Sequence, residues 1–363
     1  MNEKKPKISV VTSVYNGEKY IKEAIESILA QTFEDFEWIV IDDASTDQTA
    51  EILHRYAEKD ARIKIFKNET NQKLAASLNR GVSLAAGEYI VRMDADDICL
   101  ENRLEKQYDF MRQNPKIDLS YCNFFAMEGQ RLMSLRLGRR QDAESVAAMF
   151  LFFDPVLHPG VIAKSGVVKQ YRYDLACTCT EDIDLWTRML QDGVRIAGQR
   201  DFLMLYRIHA ASISASTKEK QLAEVAKIEK RFFKAMLFEP TQEEMAFYMN
   251  HIYFQDACDL KGLYRFYRKM MRANRAKRTF SKRHIINAFF EVLAECQRKF
   301  EIGFCKKAAM IRFGGIWLLH EFFRKKKRFL RDVAAAEHAA EVAGFQHTED
   351  AGAVPVYIRT GER

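Results

Sequence analysis

The chain has 363 residues, 48% of them hydrophobic, and a formal net charge of +7. This length and apolar content allow a sizeable core and predict one large domain with a smaller annex. The charged first residues argue against a secretory signal, no apolar run approaches the roughly 18 residues of a membrane-spanning helix, and scattered cysteines indicate a reducing compartment.

Short β-rich apolar runs alternate with amphipathic helical stretches in the first half of the chain. This alternation predicts βαβ units and a mostly parallel sheet, with strands at 8–14, 37–41, 63–66 and 89–93. Helices are predicted at 20–30, 50–57, 74–86 and 103–112. Ser45 with Gln48 resembles a capping box for the second helix, and Gly87 is expected to end the third in the left-handed conformation.

The second half of the chain differs from the first in both charge and residue pattern. Residues 218–331 contain 27 Lys and Arg against 12 Asp and Glu, an excess of +15, which leaves −8 for the remainder. Long basic, aromatic-rich segments without strand alternation predict helices. We therefore expect an α/β domain over 1–217, a basic and mainly helical region over 218–331, and a partly disordered tail over 332–363.

Polar and acidic residues follow three of the predicted strands. Ser13 and Tyr15 lie at the end of the first strand, Asp43 follows the second, and residues 94–97 (Asp-Ala-Asp-Asp) follow the fourth. Ligands of open parallel sheets bind beyond the carboxyl ends of the strands, so these side chains are expected to converge on one rim.

The acidic run at 94–97 predicts a divalent metal site. The turn after the first strand has no G-x-G-x-x-G pattern and the chain has no P-loop, so a bound nucleotide diphosphate would need a metal for neutralisation. Carboxylates are the oxygen ligands that Mg²⁺ and Mn²⁺ prefer. A solvated acidic loop is the alternative interpretation, and the position of the run on the same rim as Asp43 weighs against it.

The order and spacing of these residues resemble the inverting family-2 glycosyltransferases with the GT-A fold, a Rossmann-like nucleotide-binding mixed sheet flanked by helices. The resemblance covers roughly residues 7–214. The matching segments are 10–16, 42–45, 79–81, 87–90, 92–97, 103–104, 158–159, 180–182, 184–186 and 206–209.

The resemblance implies how the donor, a UDP-sugar, would be held. Ser13, Tyr15 and Asp43 would contact the nucleoside, with Tyr15 stacking near the base and Asp43 accepting a hydrogen bond from it. Asp94 would approach the ribose or the donor sugar. Asp96 would bind the divalent ion that bridges the diphosphate. Ordinary turn chemistry is the alternative for Ser13, Tyr15 and Asp43.

The resemblance also implies the catalytic and metal-binding groups. Asp182 would be the base that deprotonates the acceptor hydroxyl, although an acidic first turn of a helix explains the same residue structurally. Asp96, Asp97 and His209 would bind Mn²⁺ or Mg²⁺, although a lone histidine is more often structural. The expected enzyme is a metal-dependent, inverting, hexosyltransferase-like enzyme.

Two residues depart from the family pattern beside the predicted site. Lys73 stands where the family usually has glycine, and Glu101 where it usually has proline. Lys73 could contact a phosphate as a point charge or could be a solvated loop lysine. The departures put the local loop geometry in doubt rather than the fold.

Two other functions are compatible with parts of the sequence. A sugar nucleotidyltransferase would need a glycine-rich basic loop after the first strand, which residues 15–18 do not supply. A nucleic-acid-binding protein would leave the acidic rim unexplained, so no nucleic-acid partner is expected. The resemblance implies a glycan or lipid-linked acceptor in cell-envelope polysaccharide synthesis.

The expected location is the cytoplasm, with peripheral association on the inner membrane face. Basic and aromatic residues alternate over 261–283, and an aromatic segment at 313–323 precedes a basic cluster at 324–328. Such a pattern suits a helix lying on an anionic membrane surface, and a solvated helix face is the alternative.

Overall fold

The computed structural model describes residues 5–129, 131–135, 141–209, 218–253, 259–299, 345–348 and 356–359. The chain divides into two compact units, one of residues 1–141, 156–218 and 336–363 and one of residues 142–155 and 219–335. The predicted domain boundary at 217 and 218 stays a prediction, which the independent folding of each unit would test.

The start of the first unit alternates strands and helices. Each predicted element lies within two residues of its position in the structure, because apolar periodicity is strong here. The elements are β1 (Ile8–Val14), α1 (Ile21–Leu29), β2 (Phe36–Asp42), α2 (Thr49–Ala57), β3 (Ile63–Lys67), α3 (Leu74–Leu84) and β4 (Tyr89–Arg92).

Five further strands and four α-helices follow in chain order among the described residues. Helix α5 belongs to the second unit, and the other elements belong to the first. They are β5 (Ile98–Cys99), α4 (Arg103–Gln113), β6 (Leu119–Glu128), β7 (Arg131–Leu135), α5 (Ala143–Met149), β8 (Val161–Lys164), α6 (Ser165–Tyr171), α7 (Glu181–Gln191) and β9 (Ile196–Arg207).

The strands form one mixed sheet in the described part of the chain. Its order is β10-β11-β7-β6-β8-β4-β1-β2-β3, with β10 (Phe345–Thr348) and β11 (Val356–Arg359) at one edge, and β9 pairs with β5 and β6. Strands β4, β1, β2 and β3 are parallel, whereas β8 runs antiparallel to both β4 and β6. The predicted α/β class is confirmed. The prediction of a mostly parallel sheet is wrong, because the strands after the βαβ segment, β5 to β11, add mainly antiparallel pairs. The carboxyl ends of β4, β1 and β2 are neighbours.

Burial explains why the parallel part of the sheet forms. Every residue of β2 is buried, as expected for a strand covered on both faces. Helix α1 buries Ile21, Ala24, Ile25 and Ile28, which lie on one face at helical spacing. This packing leaves the loops after the strands as the positions where polar groups can collect.

The capping-box prediction at Ser45 is wrong. Helix α2 begins at Thr49, and its N-cap residue, Gln48, makes no side-chain cap hydrogen bond. The Ser45 hydroxyl instead accepts a hydrogen bond from the backbone N–H of Asn16, 3.0 Å away. Ser45 therefore joins the loops after β1 and β2, a long-range contact that a local pattern does not reveal.

The prediction for Gly87 is also wrong. Helix α3 ends at Leu84, and Gly87 does not adopt a positive φ. A Cβ atom at Gly87 would lie 2.6 Å from the backbone nitrogen of Ser9 and 2.8 Å from the carbonyl carbon of Ile8. Glycine is needed because the chain passes directly against β1 as it enters β4.

The second unit is helical in its described residues, as predicted. Besides α5 it contains α8 (Lys218–Met236), α9 (Gln242–Tyr248) with a π turn at Met249–Tyr253, α10 (Leu260–Lys277) and α11 (Lys282–Lys299). Phe232, Phe233, Tyr248, Leu263 and Met270 are completely buried and form its core. None of the described helices combines the length and apolar composition of a membrane crossing.

Most of the predicted tail and the predicted membrane-binding cluster lie outside the described residues. The cluster at 313–328 falls entirely in this category, whereas the basic segment at 261–283 belongs to α10 and the start of α11. Within 332–363, strands β10 and β11 are described.

Candidate active site

Three carboxylates follow β4 at the carboxyl edge of the sheet. Asp94, Asp96 and Asp97 each offer an oxygen atom, and these atoms lie within 4.8 Å of one another. The Asp94 and Asp96 side chains are 28% and 34% exposed, whereas Asp97 is only 1% exposed. The strand thus ends in an acidic cluster that solvent reaches from one side.

Asp97 is the buried member of the cluster. Its Oδ1 accepts a hydrogen bond from the backbone N–H of Arg207, 2.9 Å away. Its Oδ2 is buried and has no hydrogen-bond partner within the described residues. Burial and the charges of Asp94 and Asp96 raise the pKa of Asp97 well above its ordinary value. A buried carboxylate oxygen without a hydrogen-bond donor is a position where a cation could bind.

The end of β9 packs against the acidic cluster. Arg207 Nε donates to the backbone oxygen of Asp96 at 2.8 Å, and His209 Nε2 lies 2.9 Å from Asp96 Oδ2. Tyr20 supports both residues, since the Arg207 guanidinium lies 4.6 Å from its ring centroid and the His209 ring stacks on it at 5.0 Å. The structure therefore brings His209 to Asp96, 113 residues away, and adds Tyr20, for which the sequence carried no signal.

Arg92, the last residue of β4, is a buried cation beneath the carboxylates. It forms an ion pair with Asp94. Burial opposes its charge, but nearby acidic groups, Asp94 foremost, raise the pKa of Arg92 above its ordinary value. The buried Arg103 donates to the Arg92 backbone oxygen at 2.8 Å and to that of Pro159 at 2.6 Å. The sequence signal for this role of Arg92, the pairing with the carboxylates, was the position of a basic residue at the end of an apolar strand.

The first turn of α7 contains two further carboxylates. Glu181 is 8% exposed, and burial together with the Asp182 charge raises its pKa to about 7. Burial raises the pKa of Asp182, while hydrogen bonds from backbone N–H groups and the Arg92 charge lower it. Asp94 also raises the pKa of Asp182. Asp182 and Glu181 therefore belong to the same electrostatic cluster as Arg92 and Asp94.

Side chains behind α7 hold this helix against the sheet. His158 Nε2 lies 2.8 Å from the Tyr173 hydroxyl, and its ring meets Trp186 edge-on at 5.8 Å. Burial and the Arg92 charge lower the pKa of His158 well below its ordinary value, so the imidazole is neutral. The Asn79 side chain exchanges two hydrogen bonds of 2.9 Å with the Tyr173 backbone. These contacts are structural, and they position α7 and therefore Asp182 in its first turn.

The predicted nucleoside contacts lie after the adjacent strands β1 and β2. Ser13 is partly exposed near the end of β1, and Tyr15 is 51% exposed. Asp43 is buried, and its Oδ1 accepts from Asn68 Nδ2 at 2.7 Å and from the backbone N–H of Gln72 at 2.8 Å. Asp43 Oδ2 accepts from the backbone N–H of Lys73 at 2.9 Å. Asp43 therefore orders the loop over 68–73.

The donor set after β4 fits a divalent cation. Asp94, Asp96 and Asp97 provide hard oxygen atoms, and one oxygen of Asp97 is buried without a partner in the described chain. His209 adds an imidazole nitrogen beside Asp96. Arg92 limits the local negative charge in the absence of a ligand, so the carboxylates can be assembled before a cation binds.

Comparison with known proteins agrees with this arrangement. Residues 9–152 match the sequence model of glycosyl transferase family 2. An uncharacterized glycosyltransferase of Methanocaldococcus jannaschii is 37% identical over 207 residues, which are 56% of this chain and 71% of that protein. The O-antigen biosynthesis glycosyltransferase WbnJ of Escherichia coli is 33% identical over 216 residues, 58% of this chain and 82% of that protein.

A solved structure shows the same architecture. TarS of S. aureus, determined in complex with UDP-GlcNAc, aligns with a TM-score of 0.57 and 18% sequence identity over 81% of this chain and 92% of that chain. At this identity the likeness concerns the fold, and it confirms the predicted GT-A class. With the family match and two relatives above 30% identity over more than two thirds of their lengths, the chain belongs to glycosyl transferase family 2.

Proposed function

We propose that this family-2 enzyme transfers a hexose-type sugar from a UDP-sugar to a glycan or lipid-linked acceptor, with inversion at the anomeric carbon. The observation that carries the proposal is the meeting of three elements at one edge of the sheet. The acidic cluster after β4, the end of β9 with His209, and the acidic first turn of α7 share one electrostatic environment around Arg92.

The loops after β1 and β2 are proposed to hold the nucleoside. The ring of Tyr15 is 51% exposed at the sheet edge, so it is available for stacking on a base. Asp43 can accept from the base through Oδ2, which has a second acceptor position beside its bond from Lys73, whereas Oδ1 already accepts two hydrogen bonds that orient the carboxylate. Ser13 completes the proposed pocket. The UDP-GlcNAc complex of TarS, which shares this fold, supports uridine as the base.

Asp96, Asp97 and His209 are proposed to bind Mn²⁺ or Mg²⁺, with Asp94 next to them. When bound, the cation would neutralise the donor diphosphate and stabilise it as it departs. The role of the protein is to hold the ligands in place. Arg207 donates from its side chain to the backbone oxygen of Asp96 and from its backbone N–H to the Asp97 carboxylate, and Tyr20 stacks against His209.

Asp182 is proposed to be the catalytic base. Its raised pKa brings it closer to neutral pH than a solvent-exposed aspartate, so it can accept a proton as the acceptor oxygen attacks. A bond forms between that oxygen and the anomeric carbon, the bond from this carbon to the diphosphate breaks, and the hydroxyl proton passes to Asp182. A single displacement of this kind inverts the anomeric configuration.

Cell-envelope polysaccharide synthesis is the proposed setting. WbnJ, one of the relatives above, is an O-antigen biosynthesis glycosyltransferase. We place the enzyme in the cytoplasm and at the inner face of the membrane, where its basic second unit would contact anionic lipids. Seven Lys and Arg residues in α10, with no Asp or Glu, support such an association.

A panel of nucleotide sugars with Mn²⁺ tests the proposal, with nucleoside diphosphate release as the readout. Release of UDP from one UDP-sugar, increased by an acceptor, is the expected result. Release of pyrophosphate or formation of a nucleoside triphosphate would indicate a sugar nucleotidyltransferase and would contradict the proposal. Product analysis by NMR then establishes the anomeric configuration.

A further inference from the structure

Helix α10 and the turn into α11 form a strongly basic surface in the second unit. Helix α10 contains seven Lys and Arg residues and no acidic residue. Two of its lysines have partners elsewhere in the second unit, Glu244 for Lys269 and backbone oxygens for Lys277. The arginines of this segment remain to be explained.

These arginines line a pocket in the second unit. The pocket has a volume of about 570 Å³, and its walls carry Arg268, Arg272, Arg275, Arg278 and Lys282. The first three lie four and three residues apart along α10, which places them on one helix face. Within the described residues none of the five cations forms an ion pair with a carboxylate, and all five are exposed.

The floor of the pocket is ordered without a ligand. Asn274 is buried, its Nδ2 donates to the Phe280 backbone oxygen at 2.8 Å, and its Oδ1 accepts from the Phe280 backbone N–H at 2.8 Å. Arg278 ends α10 in the left-handed conformation, with φ of 57°. The backbone N–H of Arg278 donates to the backbone oxygen of Asn274 at 2.7 Å. The turn that carries Arg278 is therefore fixed from both sides.

Five like charges around a concavity repel one another and attract a compact anion. The guanidinium group matches the oxygen geometry of phosphate in a two-point contact, and a cleft lined by one sign of charge concentrates the field inside it. A pocket of this size has room for one or two phosphate groups and for part of the molecule that carries them. An extended acidic polymer would instead need a groove.

We propose that this pocket is a binding site for a phosphate or diphosphate group, lined by residues of the second unit, none of which belongs to the proposed donor site. The group could belong to a free phosphorylated compound or to the head of an anionic lipid. Either source presents the same oxygen atoms to Arg268, Arg272, Arg275, Arg278 and Lys282. The proposal does not depend on the sugar donor or on the identity of the acceptor.

Calorimetry of the full chain with inorganic pyrophosphate in metal-free buffer is the test. The double substitution Arg272→Gln with Arg275→Gln is expected to weaken binding by at least roughly tenfold, because two charge-assisted contacts are lost. The matched control is Lys261→Gln with Arg265→Gln, which removes the same charge from the same helix outside the pocket. Its binding should stay within about twofold of the unmodified chain. All four positions are exposed, so folding should survive, and thermal unfolding verifies this.

A vesicle experiment identifies the source of the group. Phosphatidylcholine vesicles with and without phosphatidylglycerol are mixed with the full chain, and pyrophosphate is added as a competitor. Competition indicates a lipid headgroup in the pocket, whereas pyrophosphate binding without vesicle binding indicates a free phosphorylated ligand. The proposal is overturned if pyrophosphate does not bind at low salt, or if the control variant loses as much affinity as the pocket variant.

Discussion

At the scale of single residues, burial controls the chemistry of the candidate site. Burial raises the pKa values of Asp94, Asp97, Glu181 and Asp182, and the buried Arg92 charge opposes this shift. A carboxylate whose pKa is raised toward neutral is a stronger base than an ordinary aspartate when it is ionised, so it accepts a proton from a hydroxyl group more readily. The same residues would be ordinary acids on an open loop.

Asp182→Asn should reduce sugar transfer by roughly 10²- to 10⁴-fold and leave donor affinity almost unchanged, because Asp182 acts on the acceptor hydroxyl. Steady-state transfer rates and calorimetry with UDP-sugar measure the two effects. Glu181→Gln is the matched control, since Glu181 is the neighbouring carboxylate with a pKa of about 7. If Glu181→Gln abolishes transfer while Asp182→Asn retains it, the base has been assigned to the wrong residue.

Asp96→Ala should remove the effect of Mn²⁺ on donor binding. The substitution deletes a proposed metal ligand and the partner of His209, so at least roughly tenfold in affinity should be lost when Mn²⁺ is present. Calorimetry with UDP in the presence of Mn²⁺ or of a chelator measures it, and Asp109→Ala, at an exposed aspartate, is the control. Equal Mn²⁺-dependent binding in wild type and Asp96→Ala would refute the metal-bridge proposal.

At the scale of elements, two loop segments are fixed by backbone requirements. Lys73 has φ of 70° and ψ of 168°, a region that is essentially restricted to glycine. This explains why the family usually has glycine at this position. The strained conformation is held by the hydrogen bond from its backbone N–H to Asp43.

Lys73→Gly should stabilise the chain by about 1 kcal/mol, because relief of roughly 1–3 kcal/mol of strain exceeds the added entropy of the unfolded glycine. Urea unfolding measures the free energy. Lys73→Gln keeps the strain and removes the charge, so its stability should not change. A loss of donor affinity in both variants would assign the Lys73 side chain to phosphate contact, and unchanged affinity would make it a solvated loop lysine.

Gly87→Ala should destabilise the chain by about 1–3 kcal/mol, because the new methyl group would collide with backbone atoms of Ile8 and Ser9 that cannot move away. Gly166→Ala is the control. A Cβ atom there has no neighbour within 4 Å, and the position is helical, so stability should stay equal or rise slightly. Equal unfolding free energies for both variants would show that Gly87 has more room beside β1 than the structure indicates.

At the scale of the whole molecule, the chain consists of two units of opposite character. The first contains the sheet, the acidic rim and most of the family match, whereas the second is basic and, in its described residues, helical. The second unit also buries an acidic residue, Glu229, in its core. Burial raises the pKa of Glu229 to about 8, and Tyr248 is its polar neighbour.

Glu229 should make stability fall as pH rises. The folded chain retains the Glu229 proton up to about pH 8, whereas the unfolded chain releases it at the ordinary pKa of 4.5. The unfolded state thus binds fewer protons between these values, and up to about 1.4 kcal/mol per pH unit is lost over this window. Glu229→Gln should remove this contribution and be more stable than wild type at the alkaline end.

Urea unfolding of both proteins at the two ends of this window measures the effect. Glu239→Gln, at an exposed glutamate, is the control and should keep the wild-type pH dependence. A pH dependence that survives in Glu229→Gln would mean that the Glu229 carboxylate is solvated in the folded chain.

The sequence alone determined the elements of the parallel sheet and the position of the acidic rim. Both follow from short-range patterns, since apolar periodicity defines strands and helices, and carboxylates directly after a buried strand must lie at the sheet edge. The order and spacing of the matching segments indicated the family, which comparison confirmed. The helical character of the second unit followed from the same periodicity.

Only the tertiary structure decided the environment of each side chain. The Tyr20 ring contacts both Arg207 and His209, Asp43 holds the loop over 68–73, and glycine is required at position 87 by the close approach of β1 rather than by the end of a helix. These contacts join residues far apart in the chain, and a local pattern contains no information about them. The shifted pKa values have the same origin, because desolvation depends on which elements pack over a group and not on its neighbours in sequence.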